Sequence, residues 1–218
     1  MKKLTLLLSL FIPLFASAQK SDSTHTHFRI IRGGMIEHST ELKSKRYVKN
    51  GESEIKIGRD LLAVGLYKDD ERSGRWRFFN GPDSLEQIYN YTTKKLEYNH
   101  TAKNIVYEID STKEGDKIIY PAKIGGYHTS LRFLIKKFSP SKEFRAYAGV
   151  HTVLLIFHID EHGKLIKYQA ETGEGELKRT EEISLSKFRP EDFDFVPAYL
   201  NGKPVASRLI FQSKLTVD

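Results

Sequence analysis

Residues 150–170 read VHTVLLIFHIDEHGKLIKYQA. Val150 to Ile159 carries apolar side chains at odd and even positions alike, the pattern of a strand covered on both faces. Asp160-Glu161-His162-Gly163 breaks the run with a turn cluster whose glycine accepts a positive φ. Leu165 to Ala170 then returns as the hairpin partner. This central hairpin organises what lies around it. Upstream, Tyr127, Leu131, Leu134, Ile135 and Phe138 recur at helical spacing, and Pro140 prevents continuation. Downstream, Leu177 to Phe188 is expected as a second helix that ends before Pro190. Asn201-Gly202 is a further turn. Val205 to Val217 alternates, with Val205, Leu209, Phe211, Leu215 and Val217 on one face and Arg208, Gln212, Lys214 and Thr216 on the other; Ile210 is the exception. The expectation for residues 120–218 is an α+β domain with two helices on one antiparallel sheet.

The first half reads as β throughout. Ile55–Ile57, Leu61–Tyr67, Arg75–Phe79, Leu85–Tyr91 and Ile105–Ile109 are short and rich in β-branched or aromatic residues. Asn50-Gly51, Lys68 to Gly74, Asn80-Gly81-Pro82-Asp83 and Thr92 to Lys95 are expected as the turns between strands. The fold class expected for the whole chain is therefore α+β: an antiparallel β-meander over 28–119, followed by the two-helix domain over 120–218.

Residues 1–18 have the three parts of a secretory signal: Lys2 and Lys3, an apolar run from Leu4 to Phe15, and Ala16-Ser17-Ala18 as cleavage site. The run is shorter than the roughly 20 apolar residues a membrane-spanning helix needs. Residues 19–27 are polar and are expected as a flexible leader. The chain has no cysteine, which excludes disulfides, thiolate nucleophiles and Cys-based zinc sites. Its net charge of +7 is spread among interspersed acids and bases rather than gathered into a Lys/Arg stripe, so nucleic acid is not an expected partner. Export to the periplasm is expected, without stable membrane insertion after cleavage. The alternative is an uncleaved anchor in the inner membrane.

Two sets of residues carry family resemblances. Gly125-Gly126, Phe138-Ser139-Pro140, Ala148-Gly149-Val150, the run from Val153 to Lys164, Phe195-Val196-Pro197-Ala198 and Asn201-Gly202-Lys203-Pro204-Val205 together resemble the C-terminal domain of the energy transducer TonB. Phe195 stands where that family often has tryptophan, and the long Pro-rich spacer of TonB proper is missing. Gly65-Leu66-Tyr67, Ser73 to Phe79, Gly81 and Tyr89-Asn90-Tyr91 resemble the MORN-like hairpin repeats of exported Bacteroidetes proteins. The TonB resemblance implies a partner-binding habit in the envelope, an outer-membrane TonB-dependent transporter being one such partner. It also implies that the last strand pairs with an extended peptide by strand addition. The residues so assigned are Ser207, Arg208, Leu209, Ile210, Phe211, Gln212, Ser213 and Lys214.

Catalytic chemistry has no clear carrier. His158 and His162 flank a turn instead of sharing a helix face, and His25 and His27 fall in the expected leader, so no metal site is expected. Glu191, Asp192 and Asp194 read as a solvated surface, as do Glu171, Glu174 and Glu176. Neither a nucleophile elbow nor a phosphate-cradling glycine loop is present. Trp76, Phe78, Phe79, Tyr89 and Tyr91 read as the core of the meander rather than as an exposed platform. The expectation is a non-enzymatic protein-binding module without cofactor. The alternatives are an envelope scaffold, or an energy transducer that keeps its N-terminal anchor. Intact-mass analysis of the exported protein is expected to show Gln19 as the first residue; retention of Met1 to Ala18 with the membrane fraction is the opposite outcome.

Overall fold

The computed structural model describes residues 24–82, 84–142, 148–173 and 178–217. The expected signal, residues 1–18, lies outside them. Seven antiparallel strands follow one another in a single sheet: β1 (Thr24–Ile30), β2 (Ile36–Leu42), β3 (Lys49–Ile57), β4 (Asp60–Lys68), β5 (Glu71–Phe79), β6 (Leu85–Asn90) and β7 (Lys95–Asn99). Each pairs only with its sequence neighbours, which is a meander. Three of these strands, β1, β2 and β7, were not expected from the sequence. β1 begins inside the expected leader and pairs along its whole length with β2. Asn50-Gly51 is not a turn; it lies within β3, and the chain reverses instead at Gly58-Arg59. The next reversal takes only Asp69 and Asp70, both at positive φ, the backbone of a tight type I′ hairpin.

A second sheet is built from β8 (Ile105–Glu108), β11 (Gly149–Ile159), β12 (Leu165–Thr172), β13 (Arg179–Glu182) and β17 (Ser207–Val217), in the order β13-β12-β11-β17-β8. Between β8 and β11 come two short strands, β9 (Ile118–Ile119) and β10 (Ala122–Lys123), and then a π-helical turn (Tyr127–Leu131) that runs into α1 (Arg132–Ile135). Before β17 come β14 (Phe195–Val196), β15 (Ala198–Leu200) and β16 (Lys203–Val205). β10 pairs with β14, and β15 lies between β16 and β9. The change of sheet falls between Asn99 and Ile105, upstream of the expected division at residues 119 and 120, so that the strand expected at Ile105–Ile109 belongs to the second sheet.

The expected α+β class with two helices is overturned: the protein is mostly β, and among the described residues the helical structure beyond short 3-10 turns is one segment from Tyr127 to Ile135. The first helix is shorter than its apolar spacing suggested. The second does not form. Leu177 lies outside the described residues, but Arg179–Glu182 is a strand that pairs with Gln169–Thr172 of β12, and Leu185–Lys187 is a single 3-10 turn. The reason is tertiary. β12 offers an open edge, and the Ile183 N–H continues the pairing onto the Tyr168 carbonyl at 2.9 Å. Such an edge outweighs a helical signal that rests on three apolar positions.

Two apolar clusters meet at the helical segment. Leu131 and Leu134 enter a core with Val153, Leu155, Phe157, Tyr168, Leu209 and Phe211. Phe133 enters another, with Met35, Ile55, Leu62, Trp76 and Phe78 of the meander together with Ala122 and Val196. Trp76 and Phe78 are fully buried, which agrees with the core reading of the aromatic group. Gly65 is required by close approach: a Cβ there would stand 2.4 Å from the Trp76 ring. The two halves therefore share buried surface. A fragment from Tyr120 to Asp218 would lack β8 and expose Phe133, Ala122 and Val196, and burial of a side chain the size of Phe133 contributes about 1.5–3 kcal/mol. That fragment is expected to aggregate or to unfold without cooperativity in urea, monitored by circular dichroism; a sharp two-state transition would show that the second half folds alone.

Candidate functional site

The site anticipated on the last strand is placed differently from the expectation. β17 is not an edge over its first half. Arg208, Leu209, Ile210 and Phe211 pair with β8 on one side, and the whole strand pairs with β11 on the other. The Gln212 N–H, the donor an incoming peptide would need, already reaches the Asn104 carbonyl at 2.8 Å. Leu209 and Phe211 are buried in the core, Ile210 is also buried, and Ser207 is buried with a hydroxyl that has no partner among the described residues. Arg208 pairs with Glu108 at 2.8 Å and Asp110 at 3.2 Å. Only the stretch from Ser213 to Val217, with Lys214 exposed, has no strand on its outer side among the described residues.

A cleft of about 850 Å³ lies between the meander and the segment around Pro190. β3, β4 and β5 supply its first wall by alternation, which sends Tyr67 and Trp76 to the inner face. Cations lie over these rings: the Lys49 ammonium is 4.2 Å from the Tyr67 centroid and the Arg72 guanidinium 4.3 Å from that of Trp76. Lys49 also pairs with Glu37 at 2.8 Å, and Tyr67 donates to the same carboxylate at 2.8 Å. Burial works against the Lys49 charge, but Glu37 and Tyr67 outweigh it and the pKa stands above the ordinary lysine value. Arg72 has a different environment. It donates to the Tyr91 hydroxyl at 2.8 Å, with the Tyr67 hydroxyl at 3.5 Å, and among the described residues no carboxylate pairs with it. Burial opposes its charge here too, and the phenols of Tyr91 and Tyr67 hold its pKa above the usual guanidinium range.

The second wall corrects the reading of Glu191, Asp192 and Asp194 as a solvated patch at Asp192 alone; the Glu191 and Asp194 carboxylates do face solvent. Asp192 is 1% exposed. It pairs with Arg32 of the meander and accepts the Arg189 N–H at 3.1 Å. Glu191 and Asp194 turn their carbonyls onto the buried Lys123 ammonium, at 2.9 and 2.6 Å. Desolvation lowers the Lys123 pKa to about 7, only partly offset by Asp194, Asp192 and Glu191. The Lys164 ammonium pairs with the Asp194 carboxylate. Gly163 lets this wall close: its φ is +76° and a Cβ would lie 2.3 Å from the Phe195 carbonyl. Of the other acids weighed beforehand, Glu171 pairs with Lys178 at 2.8 Å, and Glu174 and Glu176 lie outside the described residues. His158 binds Gln169 at 2.7 Å and His162 is exposed in the turn, so the two do not converge. Sequence reasoning missed Arg32, Lys49, Arg72 and Lys123 as site residues; each is one of many interspersed cations until the fold gathers them.

Comparison with protein-family models, curated proteins and solved structures finds no match to this chain. Among the described residues, no helix is long and apolar enough to cross a membrane.

Lys123 gives the site a pH signature. With a folded pKa near 7 against 10.5 unfolded, the unfolded chain holds more protons here between those values, so stability rises as pH climbs from about 7 to 10.5 and the penalty of burying the charge is complete below. Urea unfolding of the parent and of Lys123→Met across that range is expected to show the parent gaining stability relative to the variant as pH rises. Parallel pH curves would show that the ammonium keeps its ordinary pKa.

Proposed function

We propose that this chain is a non-catalytic, exported binding protein that holds an extended segment of an envelope protein in the cleft between its two halves. The observation that carries the reading is Arg72: a cation laid on an aromatic face at the wall of a cleft, with phenols but no carboxylate as partners among the described residues. A carboxylate of the bound segment would complete it bidentately. The Tyr67, Tyr89 and Tyr91 rings in the same wall offer apolar surface with polar tips, a combination suited to peptide. Export, and the TonB-like punctuation of the second half, support a partner in the envelope. Selection of short random peptides against the chain is the experiment. Arg72→Met keeps the apolar stem and removes the charge, and it is expected to weaken binding of the enriched acidic peptides by about tenfold, a loss of roughly 1.4 kcal/mol. Enriched peptides that bind parent and variant alike would place the site elsewhere.

A second reading keeps strand addition and moves it along β17. The outward Gln212 N–H is taken by Asn104, and alternation sends the N–H groups of Lys214 and Thr216 to the same, unpaired side. A peptide added there would continue the sheet beyond β8. Lys214→Pro removes one outward donor and leaves the donors that face β11 in place. Under this reading the folded proline variant loses the selected peptides while Arg72→Met retains them.

A further inference from the structure

β1 turns His25, His27 and Arg29 to one face, since residues two apart in a strand share a side. Opposite them on β2, in direct register with His25, stands Glu41. One ligand atom from each of His25, His27 and Glu41 lies within 4.8 Å of the others. Glu41 is 1% exposed and its carboxylate is held from behind: the Tyr47 N–H donates to Oε2 at 3.0 Å, and Arg29 donates to Oε1. His25 Nε2 approaches Oε2 at 3.7 Å. Its other ring nitrogen, Nδ1, is buried and has no hydrogen-bond partner among the described residues. A buried polar atom without a partner is uncommon enough in a folded protein to call for an explanation.

We propose that His25, His27 and Glu41 form a site for a divalent transition-metal ion, with Zn²⁺ the best match to the donor set. Two imidazoles and a carboxylate are the ligands of three-residue zinc sites, in which water takes the fourth position. Zinc bonds of about 2.0–2.1 Å need the three donors drawn closer than they stand, and rotation of the two half-exposed imidazoles supplies that movement. The Tyr47 N–H and Arg29 then act as the outer hydrogen bonds that fix a ligating carboxylate. Because Arg29 donates to Oε1, Oε2 is left facing the rings. Zinc would complete the coordination of His25 and clamp β1, the edge strand of the meander, to β2.

The test is titration of the untagged chain with Zn²⁺ against a chromophoric chelator. One ion per chain is expected, and His25→Ala and His27→Ala are each expected to weaken it by at least about tenfold, the scale on which even supporting groups of metal sites act. His38→Ala is the control, because His38 lies on the opposite face of β2, packed against Phe28. Zinc is also expected to shift the imidazole resonances of His25 and His27 and to leave those of His38 in place. Glu41→Gln tests the third ligand, and if loss of the Arg29 partner unfolds it, the two histidine variants and the resonance shifts still decide. No binding at micromolar Zn²⁺, or binding that survives both histidine substitutions, would overturn the site.

Discussion

Two adjacent side chains of β6, Glu86 and Gln87, carry the backbone polar groups of the segment on which the rest of the structure turns. Gln87 donates to the Lys123 carbonyl at 3.1 Å and accepts the Gly125 N–H at 2.9 Å. Glu86 accepts the Tyr127 N–H at 2.9 and 3.0 Å, where the first amides of the helical segment would otherwise be orphaned. Burial raises the Glu86 pKa, and the bond from Tyr127 pulls it back. Buried backbone groups must be paired somewhere, and here the meander pairs those of the second half. Gly125 and Gly126 fit the same constraint. Both have positive φ, and a Cβ on Gly126 would meet the Glu86 carboxylate at 2.8 Å.

Once that segment is held, the packing on either side follows. Phe133 points into the meander's cluster while Leu131 and Leu134 point into the other. Nine helical residues thus serve two cores. Lys123 enters the interior with the same segment and gathers the carbonyls of Glu191 and Asp194, which draws the Pro190 region against the meander. The cleft is the space left between that region and the aromatic wall. Many of its charges are paired, and Arg72, buried against rings with no carboxylate partner among the described residues, gives the cleft a polarity of its own.

Edges are the other theme. Among the described residues the meander leaves the outer sides of β1 and β7 unpaired, and the second sheet is bordered by the short strands β13 and β8. Short edge strands are a common defence against unwanted pairing, and β8 performs that service for β17. A proline at Gln212 would break an existing bond to Asn104. The metal site proposed on β1 bears on the same problem, because it would tie the longest unpaired edge of the meander to its neighbour.

Much of the fold was legible because it is local. The β11–β12 hairpin, its Asp160–Gly163 turn, the Asn201-Gly202 turn, strands β3 to β6 of the meander and the burial of Trp76 and Phe78 all follow from alternation and turn chemistry between neighbours in sequence. What stayed hidden depends on partners far apart in the chain. Residues 179–182 became a strand because β12 had an edge to fill, and the first half of β17 became interior because β8, about a hundred residues earlier, lies beside it. Asp192 looks like a surface acid until Arg32 is brought to it, and His25 and His27 look like a polar tail until β2 sets Glu41 opposite. Periodicity reports which face of an element is apolar; it carries no term for which distant element arrives to cover that face. By itself the sequence determined the strand-rich character, the local turns and the apolar faces. The sheet order, the cleft and the gathering of its charges were decided only in the tertiary structure, where burial makes each polar group find a partner regardless of its distance along the chain.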